Sequence, residues 1–434
     1  MADALGIALL GGGTVGSGVA KILLEHGERL TQRAGRPLEL RRVVVRDPVK
    51  VRPFAIPSKL ISIHAESLFR DPKIDVIVEL IGGTTLSKEF ALKTLASGKH
   101  LITANKALLA MHGPELFRAA RKADRTIAFE AAVAGGVPII RALGESFAAN
   151  QITAIQAILN GTSNFILTAM ADGGKTYATA LAEAQRLGYA EADPTLDVDG
   201  SDAAHKVAIL AQLAFGVAAM PHEIERIGID KIDLLDIQFA NELGYTIKLL
   251  AEAWVRENRV ALHVAPVMVR KTDMLAQVRG AYNAIQVVGD IVGETLFQGP
   301  GAGMMATASA VVSDLIDLAV GRTQKTFAAA ELYSERSRGF VVEPSEKVRS
   351  RFYLRLMVRD KPGVLAEVCQ ALAAENISIS SVVQHEPKEA GSDQTLPLVI
   401  VTHYAETGRF RAAVKVIDKL PALGEKATAY SVDD

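Results

Sequence analysis

Cysteine is almost absent from this sequence: Cys369 is the only one among 434 residues. A single cysteine excludes a disulfide framework and a Cys-rich metal site, and it suits a reducing compartment. Net charge is nearly absent as well, at −1, so no global field gathers nucleic acid or an acidic membrane surface. No apolar stretch reaches the roughly 18–20 residues that span a bilayer. The opening "MADALGIALLGGG" has no basic leader before its apolar run, which reads as no signal peptide. The expectation is a cytoplasmic protein without nucleic-acid or membrane partners.

What is present is apolar mass, 49% of the residues, and a length that suits roughly three domains. The first 130 residues alternate strand-like runs ("GIALLG", "LELRRVVVR", "IDVIVELIG", "HLITANK", "TIAFEAAV") with helical ones ("TVGSGVAKILLEHGERL", "SKEFALKTLASGK", "ELFRAARKAD"). Apolar strands alternating with helices predict a parallel sheet covered on both faces, an α/β arrangement. From about 136 to 300, helical pieces, "NELGYTIKLLAEAWV" among them, mix with strands such as "RVALHVAPVMV" and predict an α+β substrate domain. "GAGMMATASAVVSDLIDLAVG" (301–321) reads as one long apolar helix opened by glycines, and the polar stretch after it reads as a linker. The tail, 351–430, reads strand–helix–strand–strand–helix–strand.

"LLGGGTVGSG" sets Gly11, Gly13 and Gly16 in G-x-G-x-x-G spacing, between the first strand and a helix. In that context the glycines permit a tight turn, a close approach to pyrophosphate and close helix packing, with Thr14 and Val15 at the helix N-terminus. The second strand ends in Arg46 and Asp47. Asp47 suits a ribose hydroxyl and Arg46 a 2′-phosphate, so NADP and NAD both remain open. Thr84 in "ELIGGTT" and Lys106 in "TANKALL" fall at later strand ends, where open α/β sheets bind ligands.

"EAAVAGGVPII" (130–140) places Glu130 before a glycine-rich turn whose carbonyls suit a hard cation. A plain inter-domain loop explains the same residues. In "LNGTSNFIL", Thr162 or Ser163 reads as a helix N-cap. "GYAEADPTLDVDGSDAAHK" (188–206) crowds Glu191, Asp193, Asp197, Asp199 and Asp202 together before Lys206. Asp202 and Lys206 are four apart, on one face of a helix. As an exposed pair they contribute only about 0.3–0.5 kcal/mol. The acidic crowd, however, needs a balancing cation or a ligand ammonium. A lysine opening an apolar helix face can stabilise a carbonyl oxygen and give it a proton.

Together, "GGGTVGSGVA", "TANKALL", "EAAVAGGVPII", "NGTSNFIL", "GYAEADPTLDVDGSDAAHK" and "GPGAGMMATASAVVSDL" resemble homoserine dehydrogenase over residues 5–325. The resemblance implies a reversible NAD(P)H-dependent reduction of aspartate 4-semialdehyde to homoserine, with Lys206 as proton donor. It implies Gly188, Glu191 and Asp202 at the substrate, Asp197 organising the lysine or the substrate amine, and Lys106 facing cofactor and substrate. Glu130, Val133, Gly135 and Val137 match a monovalent-cation site, usually sodium, which favours the cation reading of that turn. Gly301 and Gly303 match the glycines that close over the nicotinamide region. "VRDKPGVLAEV…NISISSVVQHE" is similar to an ACT domain of ferredoxin-like fold. That implies threonine as an effector held near Asp360, Gly363, Val364 and Leu365, and a homodimer or homotetramer. The implied organisation is a Rossmann-type domain, 1–135, completed by helix 301–325, then a catalytic and dimerisation domain, 136–300. A linker, 326–350, leads to the ACT domain, 351–434. Aspartate-semialdehyde dehydrogenase handles the same aldehyde but needs a cysteine nucleophile, and Cys369 lies in the C-terminal module.

Overall fold

Strand β1 (Leu5–Leu10) is buried at every position, as a strand covered by helices on both faces must be. A computed structural model describes residues 3–333, 340–385 and 395–433. Residues 334–339 of the expected linker, and 386–394 and 434 of the expected ACT domain, lie outside the described residues. With β2 (Leu38–Val44), β3 (Ile61–Ser62), β4 (Val76–Glu79), β5 (His100–Thr103) and β6 (Ile127–Ala128), β1 forms a parallel sheet in the order β3-β2-β1-β4-β5-β6. The order reverses between β1 and β4, and that switch point opens a crevice at the carboxyl ends of the strands. This is the expected Rossmann-type domain.

A helix from far along the chain completes it. Met304–Ala319 packs against Thr14–Glu25 so closely that a Cβ on Gly18 would lie 2.8 Å from the Met304 carbonyl oxygen. Val19, Ile22 and Leu23 share one core with Val311, Leu315 and Leu318, each such side chain contributing about 1.5–3 kcal/mol. The helix is shorter than the apolar run 301–321, because Gly303 at φ 121 starts it. Helix Arg322–Ala330 then turns away by 93° after Gly321. Phe327 on it stacks on Phe117 with centroids 5.6 Å apart, so the start of the expected linker, 326–330, is helix.

The chain divides into two compact units that do not follow the expected boundaries. The first comprises 1–161, 202–224 and 281–341; the second comprises 162–201, 225–280 and 342–434. Besides the Rossmann sheet, the first unit carries antiparallel strands Ile152–Ile158, Tyr282–Gly289 and Gly293–Pro300. In the second unit, Tyr245–Arg256 pairs with Arg259–Arg270 over twelve residues each. This corrects the helical reading of "NELGYTIKLLAEAWV". The helix Leu234–Glu242 stops before Gly244, and the chain continues beyond that glycine as strand. Its run of residues buried on both faces has no period that separates a buried strand from a buried helix.

The C-terminal module has the ferredoxin-like order. Strands Arg349–Arg359, Ile379–Gln384, Thr395–Thr402 and Thr428–Asp433 form an antiparallel set with the first strand between the last and the third. Helices Val364–Ala374 and Thr407–Ile417 share its apolar core. Cys369 is half-buried on the first of these helices. Among the described residues no single helix is long and apolar enough to cross a membrane.

Candidate active site

The glycine loop lies at the carboxyl end of β1. Gly11 has φ 113, which only glycine adopts without strain, and its own carbonyl oxygen would meet a Cβ on Gly16 at 2.1 Å. That close approach brings the helix Thr14–Glu25 against the strand. A Cβ on Gly13, by contrast, would have no neighbour within 4 Å, so the loop leaves open the space that a pyrophosphate requires. A cavity of about 1070 Å³ extends from Gly11–Thr14 past Arg46 and Lys50 to Thr84, ample for a dinucleotide's adenosine half. Asp47 also lines the cavity, and its Oδ1 accepts from the amides of Val49 (2.9 Å) and Lys50 (3.2 Å). Arg46 stays exposed, and the Arg52 guanidinium bonds to loop carbonyls beside it.

Buried Glu79, unassigned from the sequence, ties two of the strand ends. Its Oε1 accepts from the amides of Ile81 (2.9 Å) and Gly82 (3.2 Å), and its Oε2 from the Thr103 hydroxyl (2.7 Å). Asn105 caps the helix Lys106–Lys122 through Leu108 N and donates to the Gly83 carbonyl at 2.7 Å. Lys106 therefore leaves a fixed helix start.

Its ammonium lies 3.2 Å from Asp202 Oδ1. Asp202 sits in the first turn of the helix Ser201–Phe215, where the helix dipole favours a carboxylate. Its other oxygen, Oδ2, accepts from Lys206 Nζ at 2.7 Å and from the Asn160 amide at 2.9 Å. Lys206 Nζ also donates to the Leu159 carbonyl at 2.6 Å. The side chains of Asp202 and Lys206 are 9% and 12% exposed, which separates this pair from a solvated surface bridge. Burial alone would raise the Asp202 carboxyl, but Lys206, Lys106 and Asn160 outweigh it and hold the group well below the usual carboxylate range. Sequence reasoning gives Asn160 no role; its only signal is its place after a strand.

Three family models cover most of the chain: "Homoserine dehydrogenase, NAD binding domain" at 11–130, "Homoserine dehydrogenase" at 138–316 and "ACT domain" at 352–422. Homoserine dehydrogenase of Pseudomonas aeruginosa is 42% identical over 431 residues, 98% of each chain. The chain belongs to the homoserine dehydrogenase family. As a homoserine dehydrogenase it is an NAD(P)-dependent oxidoreductase of amino-acid biosynthesis, here with an ACT domain. A solved homoserine dehydrogenase from Thiobacillus denitrificans matches 99% of this chain and 98% of its own, at 41% identity and TM-score 0.92. A hyperthermophilic archaeal homoserine dehydrogenase solved with NADPH matches 72% of this chain and 97% of its own, at 28% identity and TM-score 0.59.

Not every residue of the family signature falls in one compact unit. Lys106, Asp202 and Lys206 belong to the first; Gly188, Glu191 and Asp197 belong to the second. Within the second unit the acidic crowd resolves into separate jobs. Asp193 caps Thr195 through its amide (3.1 Å) and hydroxyl (2.6 Å), and Asp199 accepts from Ser201 N and Oγ at 2.8 Å each. Thr162 and Ser163 do not cap the helix as expected. The helix Gly161–Gly173 already includes them, and their hydroxyls donate to the carbonyls of Tyr189 (2.6 Å) and Asp197 (2.7 Å). They thereby hold the signature segment instead.

The Glu130 turn is tied down on both sides. Gly135 N donates to Gly301 O and Gly136 N to Pro300 O, each at 2.9 Å. The Glu130 carboxylate accepts from the amides of Ile140 (3.0 Å) and Arg141 (2.9 Å). Burial pushes it up to about 6 against those amides and the Arg141 charge. Among the described residues no three His, Cys, Asp or Glu side chains group around a metal position, so backbone oxygen is what this turn offers a cation.

Proposed function

We propose that this homoserine dehydrogenase reduces aspartate 4-semialdehyde with Lys206 as the acid that protonates the aldehyde oxygen. The observation that carries the reading is the Lys206 ammonium, held between Leu159 O and Asp202 Oδ2. An ammonium has three protons; two are engaged, and the third serves the substrate oxygen. The bound nicotinamide supplies the hydride. Lys206 stabilises the charge developing on oxygen and then transfers its proton, and in the oxidising direction it takes the proton back. Asp202 anchors Lys206 on one oxygen and Lys106 on the other, so neither ammonium swings away. Gly188, Glu191 and Asp202 are assigned to the substrate and Asp197 to its amine or the lysine, on the strength of the signature that contains them.

Gly11, Gly13 and Thr14 line the phosphate side of the crevice, with Thr84 farther along it; Val15 and Gly16 belong to the same loop and helix start, Lys106 faces the cofactor, and Gly301 and Gly303 serve the nicotinamide side. NADP is the better fit of the two cofactors. Arg46 and Lys50 line the cavity beside Asp47, and one oxygen of the Asp47 carboxylate that would favour a ribose hydroxyl is engaged by its own loop. Glu130, Val133, Gly135 and Val137 would hold a monovalent cation, sodium, which would brace this turn. Ala134 at φ 46 supports this, a left-handed backbone held in a turn rich in carbonyls. Threonine binds the ACT domain at Asp360, Gly363, Val364 and Leu365, where Gly363 at φ 98 starts a helix. The protein works in the cytoplasm as a homodimer or homotetramer.

The test is Lys206→Ala, assayed as homoserine oxidation with NADP⁺ and with NAD⁺. Turnover should fall by about 10²–10⁴-fold, while NADPH still binds by fluorescence titration. Turnover within about tenfold of wild type would remove Lys206 as the acid.

A further inference from the structure

The second compact unit carries a half-open cleft of about 330 Å³ that the Lys206 cluster, the dinucleotide crevice and the Gly363 turn do not share. It lies between the helix Thr407–Ile417 and the sheet face of Arg259–Arg270, Thr428–Asp433 and Arg349–Arg359. Its volume is within the range of small-ligand pockets. Its apolar wall includes Pro266, Phe352 and Phe410, the two rings stacked with centroids 3.9 Å apart.

The polar groups are not balanced. Arg411 and Lys415 face a single carboxylate, Glu225, along the lining. Arg411 pairs with Glu225, which leaves Lys415 as the excess charge. Arg411 is half-buried, so part of its guanidinium stays open to a second anion. His263 also lines the cavity. Its Nε2 lies 2.9 Å from Glu252 Oε2 but outside hydrogen-bond geometry, and its buried Nδ1 has no hydrogen-bond partner among the described residues.

We propose that this cavity binds a small amphipathic carboxylate, its apolar body against Pro266, Phe352 and Phe410 and its carboxylate on Arg411 and Lys415. A simple carboxylic acid and an apolar amino acid share that chemistry. The test is calorimetric titration of the full chain with 4-methylpentanoate, with leucine, and with neutral 4-methylpentanamide. Binding of either acid, with the amide at least about tenfold weaker, is expected; leucine reads whether an α-ammonium is tolerated. Lys415→Gln should weaken the acid about tenfold, and Lys415 is exposed, so the variant keeps its fold. Ala429→Leu, which adds bulk to the lining, should abolish binding while near-ultraviolet circular dichroism stays native. The proposal is overturned if neither acid binds up to about 10 mM, if the amide binds as well as the acids, or if Lys415→Gln leaves the affinity unchanged.

Discussion

Asp202 binds three partners, two from distant stretches and one on its own helix: Lys106, Asn160 and Lys206. Only the last, four residues on, is legible from helix spacing. Lys248 shows the same at a position with no sequence signal at all. It is 3% exposed, and its ammonium donates to Asn164 Oδ1 (3.0 Å) and the Val278 carbonyl (2.5 Å). Burial, with a smaller push from Arg279, lowers it to about 8 from 10.5. Because the unfolded chain keeps the proton to higher pH, folding stability from this group rises as pH climbs from about 8 to about 10.5. Denaturant melts across that range should show the rise in the wild type and a flatter curve for Lys248→Met. Parallel curves would mean that another group titrates.

At the scale of elements, the glycine loop separates packing from binding. Gly16→Ala drives a methyl into the Gly11 carbonyl oxygen, at 2.1 Å, whereas Gly13→Ala meets nothing within 4 Å. Gly16→Ala should lower the melting temperature. Gly13→Ala should stay within about 0.5 kcal/mol of wild-type stability yet raise the cofactor's Kd by at least about tenfold, since its methyl occupies the phosphate approach. Equal loss of stability in both variants would contradict this division. The strand Tyr245–Arg256 carries a different lesson. Seven consecutive residues, Ile247 to Ala253, are buried, so alternation vanishes and the stretch reads as a helix until its pairing partner is known.

At the scale of the molecule, each compact unit is assembled from three separate stretches of chain. The second is held by a network that no local pattern announces. Asp236, fully buried on the helix Leu234–Glu242, takes Arg355 Nε at 2.6 Å and Nη2 at 3.1 Å, and the hydroxyls of Tyr353 and Tyr430 at 3.1 Å each. Asp236→Ala leaves the buried Arg355 cation only the exposed Glu425 carboxylate at 3.3 Å and should cost about 3 kcal/mol. Asp236→Ala/Arg355→Met should recover part of that loss in equilibrium unfolding of the full chain. A single variant within about 1 kcal/mol of wild type would reduce the network to a surface-like bridge.

The sequence by itself determined the parallel dinucleotide sheet, the ferredoxin-like order of the tail and the Asp202–Lys206 pair. Each of these rests on local periodicity, a glycine turn or helical spacing, which a chain carries within a dozen residues. Only the tertiary structure decided how closely Met304–Ala319 packs on Thr14–Glu25, that Thr162 and Ser163 hold a loop instead of capping a helix, and that Asn160 and Lys106 join Asp202. Those contacts join residues from about 25 to nearly 300 positions apart. Their energy comes from desolvated pairing and close packing, and neither exists until the chain has folded.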